Sequence, residues 1–193
     1  MCHVPESEAK FLAGLGEIDA AYARQVREAG CEHCGGALDR ADYPCKPRGE
    51  LGEAAGAYER RCSFCCREDG CRKRATPLSL RFLGRKVYVA VWVVVASVAG
   101  QSMKLTGRGR PRRVHGVPPR TVLRWLGWWQ SVFALGPFWS EAKAFFATPV
   151  EIGRLPASLR ERFGCGAAGL EMMLRFTAPI TTGSVRARIA MVV

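Results

Sequence analysis

CEHCGG at residues 31–36 and CSFCCREDGC at residues 62–71 are the two stretches that predict a cysteine-built module in the fold. Together they hold six of the nine cysteines in the chain. The first residues, MCHVPE, have neither the basic nor the apolar segment of a secretory signal, which predicts a cytoplasmic protein. In a reducing compartment such a cluster binds metal more often than it forms disulfides. We therefore expect a metal site built from cysteines.

The first stretch has the form of a zinc knuckle. Cys31 and Cys34 are separated by two residues, so one tight turn can bring both thiolates to a single Zn²⁺. The glycine that follows Cys34 allows backbone N–H groups to point at the sulfurs. Since four thiolates are available, we expect a closed, structural site, whereas a catalytic zinc keeps an open position.

The second pair of ligands should come from the second stretch, which contains two candidate pairs of cysteines. Cys62 and Cys65 repeat the two-residue spacing, whereas Cys66 and Cys71 flank the turn-forming dipeptide Asp69-Gly70 of a hairpin. We favour Cys66 and Cys71, with Cys65 and then Cys62 as alternates. The predicted cofactor is one structural Zn²⁺ held by Cys31, Cys34, Cys66 and Cys71.

Positive charge is concentrated in the middle of the chain. The net charge is +12, and residues 70–140 contain thirteen Lys and Arg but no Asp or Glu, while residues 1–69 carry a net charge of −4. A block of 71 residues without an acid predicts a polyanionic partner. We take this partner to be duplex DNA, although a structured RNA would satisfy the same charge.

The apolar run Val87–Ala99 is thirteen residues long. Spanning a bilayer takes about 20 residues, so a buried helix is the favoured interpretation and membrane association the lesser one. Apolar residues at three- and four-residue steps predict further helices over 6–29 and 119–134. Prolines punctuate the tail into shorter helices near 138–147, 156–164 and 167–176.

These patterns predict a mostly α protein with a small β zinc ribbon, which is an α+β fold. Four segments follow from them: an N-terminal helix at 1–30, a zinc-ribbon module at 31–82, a helix-turn-helix-like DNA-binding region at 83–135, and a C-terminal helical segment at 136–193. A basic loop, residues 104–118, lies inside the third segment.

The basic loop contains the sequence Thr106-Gly-Arg-Gly-Arg-Pro-Arg-Arg113. Its Arg-Gly-Arg-Pro core resembles an AT-hook, which implies that the arginines enter a narrow A·T-rich minor groove. The alternative is a flexible basic loop that contacts phosphates. Under both interpretations the nucleic-acid contacts are Arg108, Arg110, Arg112 and Arg113.

The helix that follows has an apolar stripe and a polar N-terminal end. The stripe consists of Val122, Trp125, Leu126, Trp129 and Phe133. Arg120, Thr121 and Arg124 are expected on the other face, where a recognition helix presents side chains to base edges.

The order of these features resembles the DNA-binding region of insertion-sequence transposases and of short bacterial proteins found with such elements. A cysteine ribbon, the dipeptide Thr76-Pro77, an apolar helix and the segment Gly116-Val-Pro-Pro-Arg-Thr-Val122 follow one another over about residues 31–133. The resemblance implies helix-turn-helix geometry, a DNA partner, and a transposase or another protein as a second partner. The basic loop stands where the first helix of a standard motif would lie.

The sequence lacks the residues of a recognisable active site. A two-metal nuclease needs about three converging carboxylates, yet the chain has no aspartate after Asp69. No Ser-His-Asp set or P-loop is present. We therefore expect a non-enzymatic, nucleoid-associated protein that serves as a mobile-element accessory factor or a transcriptional regulator. The alternatives are a truncated inactive transposase fragment, a zinc-ribbon protein–protein adaptor, and a small membrane-associated protein.

Overall fold

The first helix, α1, spans Glu8–Ala29 in the computed structural model, which describes residues 8–47, 49–83, 88–106 and 113–181. This extent agrees with the helix that the sequence predicts over 6–29. The helix buries Leu12, Leu15 and the carboxylate of Asp19. It ends at Gly30, whose φ of 75° is the left-handed conformation that glycine adopts readily after a helix.

Short antiparallel strands follow α1. Within the described residues they are β1 (Leu38–Arg40), β2 (Tyr43–Pro44), β3 (Arg60–Arg61), β4 (Phe64–Cys66), β5 (Arg74–Ala75), β6 (Phe82–Leu83) and β7 (Tyr88–Val89). They form a three-stranded sheet in the order β1-β4-β5 and two hairpin-like pairs, β2-β3 and β6-β7. With the helices described below, these sheets make the fold α+β, as the sequence predicts.

The three-stranded sheet is the core of the cysteine module, by which we mean residues 31–40 and 62–75. In its register Leu38 faces Cys66 and Arg40 faces Phe64. Because side chains alternate along a strand, Phe64 and Cys66 point to the buried side of β4, and Cys65 points to the other. A small apolar cluster of Cys31, Leu38, Phe64 and Cys66 results, separate from the main core.

The apolar run Val87–Ala99 forms most of α2 (Ala90–Thr106), which begins three residues into the run because Tyr88 and Val89 pair as a strand. Residues 90–94 are all buried, which explains the absence of a polar stripe in this part of the run. Neither α2 nor any other helix within the described residues has the length and apolarity that crossing a bilayer requires.

Helix α3 (Pro119–Trp128) packs closely on α2 and continues as a π turn over Trp129–Phe133. At the contact, a Cβ on Gly100 would lie 2.6 Å from Val122 Cγ1, so only glycine allows this approach of the two helices. The chain between the helices runs from residue 107 to 118, twelve residues, whereas a helix-turn-helix uses a turn of three or four. The basic loop therefore connects α2 to α3, where the standard motif has its short turn, and the expectation that it stands in place of the first helix is wrong.

The tail contains the short helices that the sequence predicts. They are α4 (Pro137–Ala142), α5 (Ala157–Arg162) and α6 (Gly166–Thr177), with 3₁₀ turns after α4, before α5 and after α6. The main core extends from Leu12 of α1 to Phe176 of α6 and includes the fully buried rings of Trp92 and Trp129. All four predicted segments therefore contribute side chains to one hydrophobic core.

A buried polar network attaches α1 to the strand β6. The Asp19 carboxylate accepts hydrogen bonds from the Ser79 hydroxyl at 2.5 Å and the Leu80 N–H at 2.6 Å, and it pairs with Arg81 Nε at 2.9 Å. Arg81 also donates to the Ala57 carbonyl and lies over the Tyr58 ring. The network therefore attaches α1 to residues 79–81, which lead directly into β6.

Candidate metal centre

Four thiols meet at one end of the cysteine module. The sulfur atoms of Cys31, Cys34, Cys66 and Cys71 all lie within 4.8 Å of one another. Cys31 Sγ is 3.7 Å from Cys71 Sγ, and Cys34 Sγ is 3.4 Å from Cys66 Sγ. These four residues are the set that the sequence favours, and the structure brings all of them together.

The first pair is held by a tight backbone turn. The Gly35 N–H donates to the Cys31 carbonyl at 2.8 Å, and the Cys31 N–H donates to the Gly36 carbonyl at 2.9 Å. Gly35 has a φ of 72°, a conformation that a residue with a Cβ rarely adopts. The glycines after Cys34 are therefore required to fold the chain back and bring its thiol beside that of Cys31.

The second pair is held by the hairpin of β4 and β5. Cys66 lies at the end of β4, and its N–H donates to the Lys73 carbonyl at 2.8 Å. The Cys71 N–H donates to the Glu68 carbonyl at 2.9 Å, which closes the turn between the two cysteines. The hairpin predicted from Asp69-Gly70 is thus present, and it aligns both thiols toward the first pair.

The spacing of the sulfurs suits a single metal ion. Sulfurs at about 2.3 Å from a central Zn²⁺ form a tetrahedron with edges of about 3.8 Å. The two measured separations, 3.4 and 3.7 Å, lie close to that edge and far from the roughly 2.05 Å of a disulfide. The four thiols therefore lie close enough together to hold one metal ion between them, each residue offering one sulfur ligand.

The surroundings lower the pKa of one thiol in the cluster and raise the pKa of two others. The His33 backbone N–H points at the Cys31 sulfur and lowers the pKa of Cys31 from 9.0 to about 7, against the effect of burial. Burial raises the pKa of the Cys66 thiol to about 12. The Lys73 backbone N–H lowers the pKa of Cys71, but burial and the thiols of Cys34 and Cys31 together outweigh it, so the pKa of Cys71 is raised. A bound cation would be needed to hold all four groups as thiolates at neutral pH.

The two alternate ligands, Cys65 and Cys62, lie outside the cluster. Cys65 follows Phe64 on β4 and therefore points away from Cys66, where its thiol donates to the Arg72 carbonyl at 3.5 Å. Cys62 precedes β4 and lines a cleft beside α1. The alternation of side chains along β4 decides between the two solutions that the spacing alone left open.

The predicted nucleic-acid contacts divide into three groups. Arg108, Arg110 and Arg112 lie outside the described residues, while Arg113, Arg120 and Arg124 are exposed. Thr121 is only 8% exposed, so the expectation that it faces outward with Arg120 and Arg124 is wrong. Thr121 lies one turn before the buried Trp125 and therefore shares the inner face of α3.

The sequence did not single out a group of arginines beside the metal centre. Arg24 and Arg27 of α1, together with Arg40 at the end of β1, line the cleft that contains Cys62. The one sequence signal is the three-residue spacing of Arg24 and Arg27, which places both on one helix face. Their approach to Arg40 depends on how α1 packs against the cysteine module.

Comparison of the chain with protein-family models, with curated protein sequences and with solved structures finds no match.

Proposed function

We propose that this protein binds duplex DNA through its central basic block and that its four-cysteine cluster holds a structural Zn²⁺. The observation that carries the proposal is the block of 71 residues, 70–140, with thirteen cations and no acid. Phosphate contacts from such a surface supply most of the affinity of a DNA-binding protein.

Zinc is the metal that best suits the thiol cluster. Four thiolates in tetrahedral geometry select Zn²⁺ or iron, and the four sulfurs, which all lie within 4.8 Å of one another, would fit around a single ion. Zn²⁺ has no redox chemistry and no vacant position in such a site, so its role is to stabilise the fold. Metal analysis of purified protein distinguishes zinc from iron, and a stoichiometry well below one ion per chain would overturn the assignment.

The proposed metal would also position part of the basic block. Arg72 and Lys73 follow the ligand Cys71 directly and are exposed on the β4–β5 hairpin. Arg72 has a φ of 47°, a conformation that only a well-held turn imposes on a residue with a side chain. Zinc therefore acts on DNA binding indirectly, because it holds the turn that presents these two cations.

Base contacts are assigned to the exposed arginines of α3. Arg120 and Arg124 are one turn apart and lie on the face opposite Val122 and Trp125, near the N-terminal end of the helix. The AT-hook-like segment before the helix would add contacts in an A·T-rich minor groove. On this proposal the region is helix-turn-helix-like, with a basic loop in place of the short turn.

The biological role that we propose is an accessory one, without catalysis by this chain. A mobile-element accessory factor or a transcriptional regulator needs DNA binding and no carboxylate cluster, and the basic block contains no acid at all. An inactive transposase fragment has the same requirements. A flanking transposase gene or inverted repeats in the genome would favour the mobile-element role.

The salt dependence of binding tests the DNA proposal. Each phosphate contact contributes about −0.9 to the slope of log K against log salt, so several contacts should weaken binding steeply between low and moderate salt. Duplex DNA, duplex RNA and heparin are compared as ligands at each salt concentration. An affinity for DNA that hardly changes with salt, or that never exceeds the affinity for heparin, would contradict the proposal.

A protein–protein adaptor is the second candidate, and one observation favours it. Val132 is 62% exposed and Leu135 is 85% exposed, and both lie just beyond α3 where the half-buried Trp128 reaches the surface. Exposed apolar side chains of this size are typical of partner surfaces when they are contiguous. Substitution of Val132 and Leu135 by Ser should leave DNA binding unchanged if the first candidate is correct.

A further inference from the structure

A cleft lies between α1 and the cysteine module, and none of its lining residues belongs to α3. It encloses about 260 Å³ and opens to solvent. The side chains that matter for its chemistry are Arg24, Arg27, Arg40, Arg81, Cys62 and Phe64. Four guanidinium groups thus surround one concave surface. Three of them, those of Arg24, Arg27 and Arg40, lie outside the basic block of residues 70–140.

The rim of the cleft carries available positive charge. Arg24 and Arg27 are exposed on successive turns of α1, and neither is held in an ion pair within the part of the chain that the structure describes. Arg40 reaches the rim from β1, and its Nε bonds Asp42 at 2.8 Å, which leaves its other donors available. The rim therefore combines two guanidinium groups that no ion pair holds within the described residues with a third that is oriented by a carboxylate, and Arg27 also acts on the Asp39 carboxylate at longer range.

The floor of the cleft is polar and rigid. Arg81 is tied to Asp19, and that carboxylate already accepts three hydrogen bonds from Ser79, Leu80 and Arg81. Asp19 therefore has little capacity left to compete for the rim arginines. Cys62 lies beside these residues and is half-buried.

A buried, incompletely satisfied guanidinium lies behind the floor. Arg61 is 3% exposed, and its Nη1 has no hydrogen-bond partner among the described residues. It lines a small cavity of about 10 Å³ that shares Asp19, Cys62 and Arg81 with the cleft. A guanidinium N–H group without a partner at such depth is costly, and an anion held nearby would reduce that cost.

We propose that this cleft binds a phosphate group. The planar guanidinium fork matches phosphate oxygens in a bidentate fashion, and several arginines around one concavity suit a doubly or singly charged phosphate better than a single carboxylate. The phosphate can belong to a free phosphate or mononucleotide, or to the backbone of a nucleic acid strand. In the second case the inference rests on the proposed DNA binding and extends the bound strand from the basic block to α1.

The test uses the full-length protein and a variant matched in charge. Arg24→Gln combined with Arg27→Gln removes the two rim cations of α1 at exposed helix positions, so the fold should be retained. Lys10→Gln combined with Lys143→Gln is the control, because it removes two exposed cations that do not line the cleft. Inorganic phosphate, adenosine monophosphate and a short DNA duplex are the probes.

Two measurements locate the binding. Thermal melting reports ligand affinity, since a ligand that binds only the folded state raises the melting temperature. The rate of alkylation of Cys62, followed by mass spectrometry, reports occupancy of the cleft itself. A bound phosphate should slow alkylation of Cys62 and leave the rate at the exposed Cys165 unchanged.

Either source of phosphate gives a specific result. If phosphate or the mononucleotide protects Cys62, and the Arg24/Arg27 variant binds it about tenfold or more weakly than the control does, the ligand is a free phosphate. If only the duplex shows this loss and this protection, the ligand is a nucleic acid backbone. Equal binding of all three probes by variant and control would overturn the cleft proposal, even where DNA binding itself persists. A wild-type protein that binds phosphate in the cleft but no DNA would instead contradict the proposed function alone.

Discussion

The sulfur atoms of Cys34 and Cys66 lie 3.4 Å apart, although 32 residues separate the two cysteines in the chain. Their approach follows from the register of the sheet, in which Leu38, four residues after Cys34, faces Cys66. The knuckle and the strand β4 thus meet because β1 and β4 pair. A metal bound between these sulfurs would cross-link the two halves of the cysteine module.

Loss of one buried ligand should abolish metal binding. We expect Cys66→Ser to reduce the metal content from about one ion per chain to a small fraction of it, because the hydroxyl is a poor substitute for a thiolate in an all-sulfur site. Elemental analysis of the purified variant measures this directly.

Cys65→Ser is the matched control for that experiment. Cys65 is the next residue along β4 but points away from the cluster, so this variant should retain its metal. Equal metal loss in both variants would show that the ligand assignment is wrong.

Metal affinity should fall steeply as the pH is lowered. In the metal-free protein the pKa of Cys66 is raised to about 12, and that of Cys71 is raised as well, so both thiols carry a proton at pH 7. Each Zn²⁺ that binds must displace at least these two protons, which predicts an affinity loss of at least about 100-fold per pH unit below neutrality. Competition with a chromophoric chelator between pH 6 and 8 measures the slope. A slope near zero would mean that these thiols are not the ligands.

The buried Asp19 network should contribute strongly to stability. Removal of the carboxylate by Asp19→Ala leaves the Arg81 guanidinium, which is only 13% exposed, without its anionic partner. We expect the free energy of unfolding to fall by about 3–5 kcal/mol, as for other broken buried ion pairs. Urea denaturation followed by tryptophan fluorescence gives the value.

Two further variants calibrate this result. Glu17→Gln changes an exposed acid on the same helix and should alter stability by less than about 0.5 kcal/mol. Ser79→Ala deletes the hydrogen bond to Asp19 and the one that the Ser79 hydroxyl accepts from the Phe82 N–H, and it should cost about 1–3 kcal/mol, which can be measured even if Asp19→Ala does not fold.

Substitution of the two exposed arginines of α3 should change DNA sequence preference, whereas substitution of Thr121 should change only stability. Arg120→Gln combined with Arg124→Gln should change the preference between DNA sequences, since both side chains are exposed on the proposed recognition face. Thr121→Ala should leave that preference unaltered and lower stability by about 1 kcal/mol, because Thr121 is buried. Competition binding with several duplexes, together with thermal melting, separates the two effects. A change in sequence preference from Thr121→Ala would contradict the buried position.

Local patterns in the chain predicted most of the secondary structure. The periodicity of α1 and α3 and the turn between Cys66 and Cys71 are properties of neighbouring residues, so they could be recognised without a fold. The start of α2 could not, because residues 88–89 are as apolar as those that follow and become a strand only by pairing with β6. Thr121 was misplaced for a related reason, since a polar residue at the edge of an apolar stripe can lie on either side of it.

The sequence by itself predicted a cluster of cysteines that could hold a metal and determined that positive charge would be concentrated in residues 70–140, because both depend on residue identity and spacing. Only the tertiary structure decided which thiols meet. The pairing of β1 with β4, and the alternation of side chains along β4, bring Cys66 to Cys34 and turn Cys65 away. The same holds for the arginine cleft: Arg24 and Arg27 come from α1 and Arg40 from β1, and the packing of these elements brings them to one concave surface.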